Sequence, residues 1–182
     1  MLGIRRYLKS SIDLFQGDIT DFVCDGMVNA ANTTLRGGAG VDGAIHNKGG
    51  PTILRECMKF DGCPVGSAVS TTAGDLPARY VIHTVGPIWT GGQSGEANLL
   101  DQAYNSSLHK AHELGIRHIA FPSISTGAFK FPLDKAAKIA MNSTKLFLNS
   151  QPECSLRITF VLFDSAHYET FQKALFKTFL ED

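Results

Sequence analysis

No run of apolar residues in the chain approaches the roughly 18 to 20 that a membrane helix needs. The opening stretch, MLGIRRYLKSS, lacks the apolar segment and cleavage site of a secretory leader. The expected compartment is therefore the cytoplasm, with no membrane partner. The four cysteines, Cys24, Cys57, Cys63 and Cys154, form no C-x-x-C pair, so reduced thiols are expected rather than a disulfide frame. Neither sign of charge is in excess, with 17 Lys plus Arg against 17 Asp plus Glu. No global field draws such a chain to nucleic acid, so any anion it binds must be held locally. Low-complexity tracts and internal repeats are also missing. With 43% hydrophobic and 19% charged residues, that composition excludes a disordered segment or a solenoid. Residues 1–182 are long enough for one sizeable core, which makes a single domain, and a monomer, the expectation.

Short apolar, β-branched runs occur at 12–15, 23–28, 68–72, 80–85, 118–121 and 156–163, each bounded by Gly, Pro or Asp; these read as strands. Helical patterns lie between and after them, at 41 to about 60, 98–114, 132–148 and 166–180. Pro132 suits a first helical turn, and Ile139, Ser143 and Phe147 keep one face. Strands alternating with helices predict an α/β fold, a three-layer α/β/α sandwich around a mixed, mainly parallel sheet. Ligands of such folds sit beyond the carboxyl ends of the strands.

The stretch NAANTTLRGGAGVDGAIHNKGG (29–50) lies at such a place and holds six glycines. Backbone N–H groups around Gly37, Gly38, Ala39 and Gly40 can approach a ligand closely, and the helix that follows adds partial positive charge, the makings of a phosphate cradle. Gly38 to Gly43 also fits G-x-G-x-x-G, with Asp61 about where a ribose-binding acid would fall. A Rossmann turn follows its strand directly, however. Here 30–36 intervene, and the approach to Asp61 reads as helix and turn, which disfavours the dinucleotide site. A ligand-free glycine turn is the plainer alternative. Against it stands a second small-residue loop, FPSISTGAFKFP (121–132), again after a strand and before a helix; two such loops can grip a diphosphate from both sides.

The strings GDIT (17–20), VNAAN (28–32), GGAGVDGAIH (37–46), HTVGP (83–87) and ISTGAF (124–129), in that order, resemble a macrodomain of the MacroD type. The resemblance runs from about residue 12 to 163. It implies ADP-ribose binding, removal of mono-ADP-ribose from acidic side chains of proteins, deacetylation of O-acetyl-ADP-ribose, and no metal or cofactor. It also assigns roles. Asp18 accepts from the adenine amino group with the backbone of Ile19 beside it, and Phe163 stacks on adenine. Gly38, Gly40 and Val41, with Ser125, Thr126, Gly127, Ala128 and Phe129, wrap the pyrophosphate, the Phe129 ring covering the distal ribose. Asn32 holds the ribose hydroxyls, Asn29 ties loop backbone in place, and Asp42 orients and helps deprotonate a water. On local grounds Asp18 and Asp42 are each as well explained as helix caps, and Phe129 as core. Asp42 nevertheless favours hydrolysis over a module that only reads ADP-ribose.

Three positions depart from the family pattern. Ala39 interrupts a run of glycines and is harmless only at negative φ. Lys130 replaces a glycine, at a cost on the order of 1 kcal/mol if φ is positive. Asn47-Lys48-Gly49 alters the helix beside the site. His109, His112 and His118 form an H-x-x-H-x5-H string, but no ordered acidic or thiol set accompanies it and a solvated helix face explains it. His46 and His83 are expected as structural hydrogen-bonders. Ser125 lacks the G-x-S-x-G context of a serine hydrolase.

Overall fold

A computed structural model of the protein describes residues 4–179. In chain order the strands are β1 (Arg5–Tyr7), β2 (Ser10–Gln16), β3 (Gly26–Ala30), β4 (Ala68–Thr72), β5 (Tyr80–Thr84), β6 (His118–Phe121) and β7 (Arg157–Leu162). The helices are α1 (Gly40–Gly49), α2 (Pro51–Cys57), α3 (Glu96–Glu113), α4 (Leu133–Ser150) and α5 (Ser165–Phe179). The strands form one seven-stranded sheet in the order β1-β2-β7-β6-β3-β5-β4. The edge strands β1 and β4 run antiparallel to their neighbours and every inner pairing is parallel.

Side chains alternate across this sheet, as the pleat requires. Val28, Ile82, Ile119, Phe121, Ile158 and Phe160 face a core built with α3, α4 and α5. Met27, Val81, Ala120 and Val161 face a second core with α1 and α2. Every β7 residue after Arg157 is buried, and burial on both faces explains why all but Thr159 are apolar. The result is the three-layer α/β/α sandwich expected from the sequence.

Several boundaries differ for local reasons. The helix expected over 41 to about 60 is two helices, broken at Gly50, whose φ of 77° ends α1 before Pro51 starts α2. Residues 23–25 are not strand. Asp25 instead accepts from the backbone of Arg117 and His118 at 3.0 and 2.9 Å and so stitches the β6 entry to the turn before β3. Edge strand β1 was not anticipated, three residues being too short for a period to register. Pro132 precedes α4 as its N-cap, and Ile139 is only half-buried beside the face formed by Ala136, Ala140, Ser143 and Phe147. The last helix is described to Phe179; Leu180, its expected end, lies outside the described residues.

Parallel strands pointing the same way deliver their following loops to one edge. The segments after β2, β3, β5, β6 and β7 all meet there.

Candidate functional site

Two cavities occupy that edge, of about 230 and 440 Å³. Gly40, Val41, Ser123 and Gly127 line both, so they are one continuous cleft. The loop from β3 to α1 forms one wall. Gly37 and Gly40 have φ of 88° and 61°, values that glycine adopts freely. Ala39 has φ of −99°, so its Cβ carries no strain, and no side chain caps the helix it precedes. The amides of the first turn of α1 therefore face the cleft uncapped, an arrangement suited to an anion. Close packing keeps the loop there: a Cβ on Gly43 would lie 2.5 Å from the Gly38 carbonyl oxygen.

The loop from β6 to α4 forms the opposite wall. Ser125 and Lys130 adopt φ of 66° and 58°, held by bonds from Phe131 N to Ser125 O and from Lys130 N to Gly127 O, at 2.9 and 3.0 Å. Lys130 thus does occupy the left-handed region, at a cost of about 1 kcal/mol. Ser125 Oγ is buried without a hydrogen-bond partner among the described residues. It sits against Gly86, where any Cβ would overlap it. Phe129 is half-buried and lines the cleft rather than the core.

Asp42 lines the smaller cavity and is 5% exposed. Its Oδ1 accepts from Asn29 Nδ2 at 2.7 Å and lies 3.4 Å from His46 Nε2. The second N–H of the same Asn29 amide meets His83 Nδ1 at 3.1 Å. A flipped amide would set oxygen against carboxylate, so the amide orientation is fixed. His83 Nδ1 must then accept, which leaves Nε2–H to donate to Thr71 Oγ1 at 2.9 Å; the Thr71 hydroxyl donates to Thr72 O. Asn29 was expected to tie loop backbone. Instead it braces Asp42, and the side chain that ties the glycine loop is Asn32, through Nδ2 to Gly37 O at 2.8 Å. Asn32 also lines the cleft beside Asp42.

The larger cavity is lined by Asp18, Ile19, Thr126 and Phe163, brought together from three loops. Asp18 does cap a short turn, its Oδ1 accepting from Thr20 N and Oγ1 at 2.9 and 2.6 Å. That hydroxyl bond, foremost, holds its carboxyl below the usual range, and Lys48 adds to the effect from 3.6 Å. The cap uses one oxygen, so capping and ligand recognition are compatible in this side chain. Phe163 is 78% exposed over the cavity. Sequence reasoning missed Ser123 and His167, which also line it. His167 is placed by Asp164 on Nδ1 and lies 3.3 Å from Thr126 Oγ1 on Nε2. Ser123 lies within the second small-residue loop, 121–132, without being singled out there, and no motif flags His167.

The family model described as "Macro domain" matches residues 28–140. The chain belongs to the macro domain family. A macro domain-containing protein of Caldanaerobacter subterraneus is 50% identical over 171 residues, covering 92% of this chain and 97% of that protein. A Citrobacter koseri protein named O-acetyl-ADP-ribose deacetylase is 47% identical over 174 residues, covering 92% and 97%. Among solved structures, the Oceanobacillus iheyensis macrodomain with ADP superposes with a TM-score of 0.88 at 35% identity, covering 94% of this chain and 93% of that one. A Trypanosoma brucei macrodomain in complex with ADP-ribose gives 0.84 at 42% identity, covering 90% and 68%.

The histidines of this macrodomain separate by environment. His109 packs edge-on against Phe147, His118 bonds Thr159, and His112 lies near Cys154, so the H-x-x-H-x5-H string is not gathered into a metal set. Among the described residues, the grouping that is gathered is His46, Cys57 and His83, with ligand atoms within 4.8 Å of one another. Both His83 ring nitrogens are already hydrogen-bonded there, and burial, with the Asp42 charge adding to it, pushes the Cys57 thiol up to about 11. As arranged, His46 lies directly against Asp42 and His83 reaches it through Asn29.

Burial, with His46 nearby, pushes His83 down to about 3, so the macrodomain folds with this ring neutral. The unfolded chain binds a proton at His83 near pH 6.5. Stability is therefore full above pH 6.5 and falls as pH drops toward 3, by up to about 1.4 kcal/mol per pH unit for this group. Urea unfolding between pH 7 and 5, above the carboxylate range, should show that loss. His118, also shifted down by burial first, adds a smaller slope of the same sign. In His83→Gln the slope should shrink to the His118 part; an unchanged slope would contradict the assignment.

Proposed function

We propose that this macrodomain is a MacroD-type hydrolase. It binds ADP-ribose, deacetylates O-acetyl-ADP-ribose, and releases mono-ADP-ribose from modified acidic side chains. One observation carries the reading: a buried carboxylate, Asp42, is braced by Asn29 beside a two-loop anion cradle, with Asn32 next to it. A module that only held the ligand would not need a carboxylate next to a phosphate.

In the bound state the diphosphate lies between the uncapped first turn of α1 and the loop 125–129. Adenine enters the larger cavity against Phe163, with Asp18 and Ile19 at its polar edge. The distal ribose reaches Asn32 under the Phe129 ring. Asp42 accepts a proton from a bound water as the water oxygen adds to the ester. The bond to the ribose oxygen breaks, and that oxygen takes up a proton to become the free hydroxyl. The similarity to proteins named O-acetyl-ADP-ribose deacetylase supports the deacetylase arm.

Lys130 favours a second reading, a non-catalytic ADP-ribose reader, because a strained residue in the second loop can hold that wall away from the productive geometry. Incubation with O-acetyl-ADP-ribose and with a glutamate-ADP-ribosylated protein, both with chelator, separates the two. The hydrolase releases acetate and ADP-ribose. A reader binds ADP-ribose by calorimetry and releases neither.

A further inference from the structure

The cleft does not stop at Asp42 and Asn32. A third groove, of about 480 Å³, adjoins it and shares Asn32, Gly86 and Phe129 with the smaller cavity. It shares no residue with the larger one, the cavity that takes adenine in the proposed complex. The three therefore lie in series: adenine side, reacting centre, then this groove.

The groove is built rather than incidental. Its outer wall is the segment after β5. Glu96, 2% exposed, pins that segment by accepting from Thr90 N at 2.9 Å, Thr90 Oγ1 at 2.7 Å, Gly92 N at 3.1 Å and Ser94 N at 2.8 Å. Trp89 N donates to Phe129 O at 2.8 Å, and the Trp89 ring packs on Phe131, which fixes the wall to the second glycine loop. Val65, Val85, Pro87, Ile88 and Leu99 supply an apolar lining. There is no lysine or arginine among the lining residues, and the single acid, Glu96, is occupied by its own loop. Ile88 is 59% exposed at the rim.

The geometry points to this groove as the docking site for the polypeptide that carries the ADP-ribosylated side chain, with an apolar residue next to the modified one. The inference rests on the hydrolase reading above and names the substrate class it favours. The smaller cavity continues past Asn32 and Phe129 into the groove, so a group ester-linked to the distal ribose has a path out along it. An acetyl group is too small to reach Ile88. A polypeptide, advancing roughly 3.3 Å per residue, is not, and a lining without free charge selects apolar side chains over acidic or basic ones.

The test compares two substrates in wild type and Ile88→Glu: O-acetyl-ADP-ribose, and a synthetic peptide with ADP-ribosyl-glutamate flanked by leucines. Ile88→Glu should lower kcat/KM on the peptide about tenfold, the size expected for losing contact with one aliphatic side chain. The acetyl ester should change less than about twofold, and Ile88→Leu should behave as wild type. A readout independent of turnover uses Asp42→Asn, in which the peptide should bind about tenfold tighter than free ADP-ribose and lose that advantage when Ile88→Glu is added. Equal effects on both substrates, or a peptide bound no tighter than ADP-ribose, would overturn the groove while leaving the deacetylase intact. Failure of wild type to bind ADP-ribose would remove the underlying reading and the groove with it.

Discussion

Replacing Asp42 by alanine should lower the rate of O-acetyl-ADP-ribose hydrolysis by about 10²- to 10⁴-fold, the usual contribution of a positioned general base, while ADP-ribose affinity stays within a few-fold. The split follows from where the energies lie. In the proposed complex affinity would come from backbone N–H groups of α1 and the second loop, from Phe129 and from the Phe163 face, cavity-lining groups that do not need the Asp42 side chain. On the proposed reading the rate would depend on the Asp42 carboxylate beside the ribose. Alanine also leaves one of the two Asn29 Nδ2 N–H groups buried without its acceptor, at about 1 to 3 kcal/mol of stability, so unfolding must be measured in parallel. Asp42→Asn controls for this, because it keeps an acceptor for Asn29 and the side-chain volume but cannot take a proton from water. Loss of turnover in both variants with binding retained is the expected result. Retained turnover in either would assign the base elsewhere.

The parts of this site that were legible in the sequence are those made of backbone. Glycines at 37 and 40 announce positive φ, and the alternation of runs announces parallel strands with loops at one edge; both are local and leave a local trace. The break at Gly50 was available in the same way, in the string Gly49-Gly50-Pro51, but the apolar period continues through it and masked it. What could not be read is who meets whom behind Asp42. Asn29 on β3, His83 on β5 and Thr71 on β4 are far apart in sequence and become neighbours only through the strand order β3-β5-β4 and a register that pairs Asn29 with His83 and Val69 with His83. Likewise the tie from Asn32 to Gly37 is a choice between two asparagines three positions apart in one motif. Their residue type fits either role, and only the direction each side chain takes from its backbone decides between them.

That arrangement makes Asn29 a positioning residue with a measurable signature. Asn29→Leu removes the 2.7 Å bond to Asp42 without entering the cleft, since Asn29 is fully buried and lines neither cavity. A hydrogen bond to a charged group contributes about 1.5 to 3 kcal/mol, so kcat should fall about 10- to 100-fold with KM changed less than about twofold. Loss of folded protein alone would lower the measured rate in proportion to the unfolded fraction and could be corrected by titrating active sites; the expected fall survives that correction. The double variant decides the coupling. If Asn29 acts through Asp42, then Asn29→Leu has nothing left to disturb once Asp42 is alanine, and the double variant should be no slower than Asp42→Ala alone. Additive losses would mean that Asn29 supports the cradle or the ribose by another route, and the line from Thr71 through His83 and Asn29 to the carboxylate would be scaffold rather than part of how the water is activated.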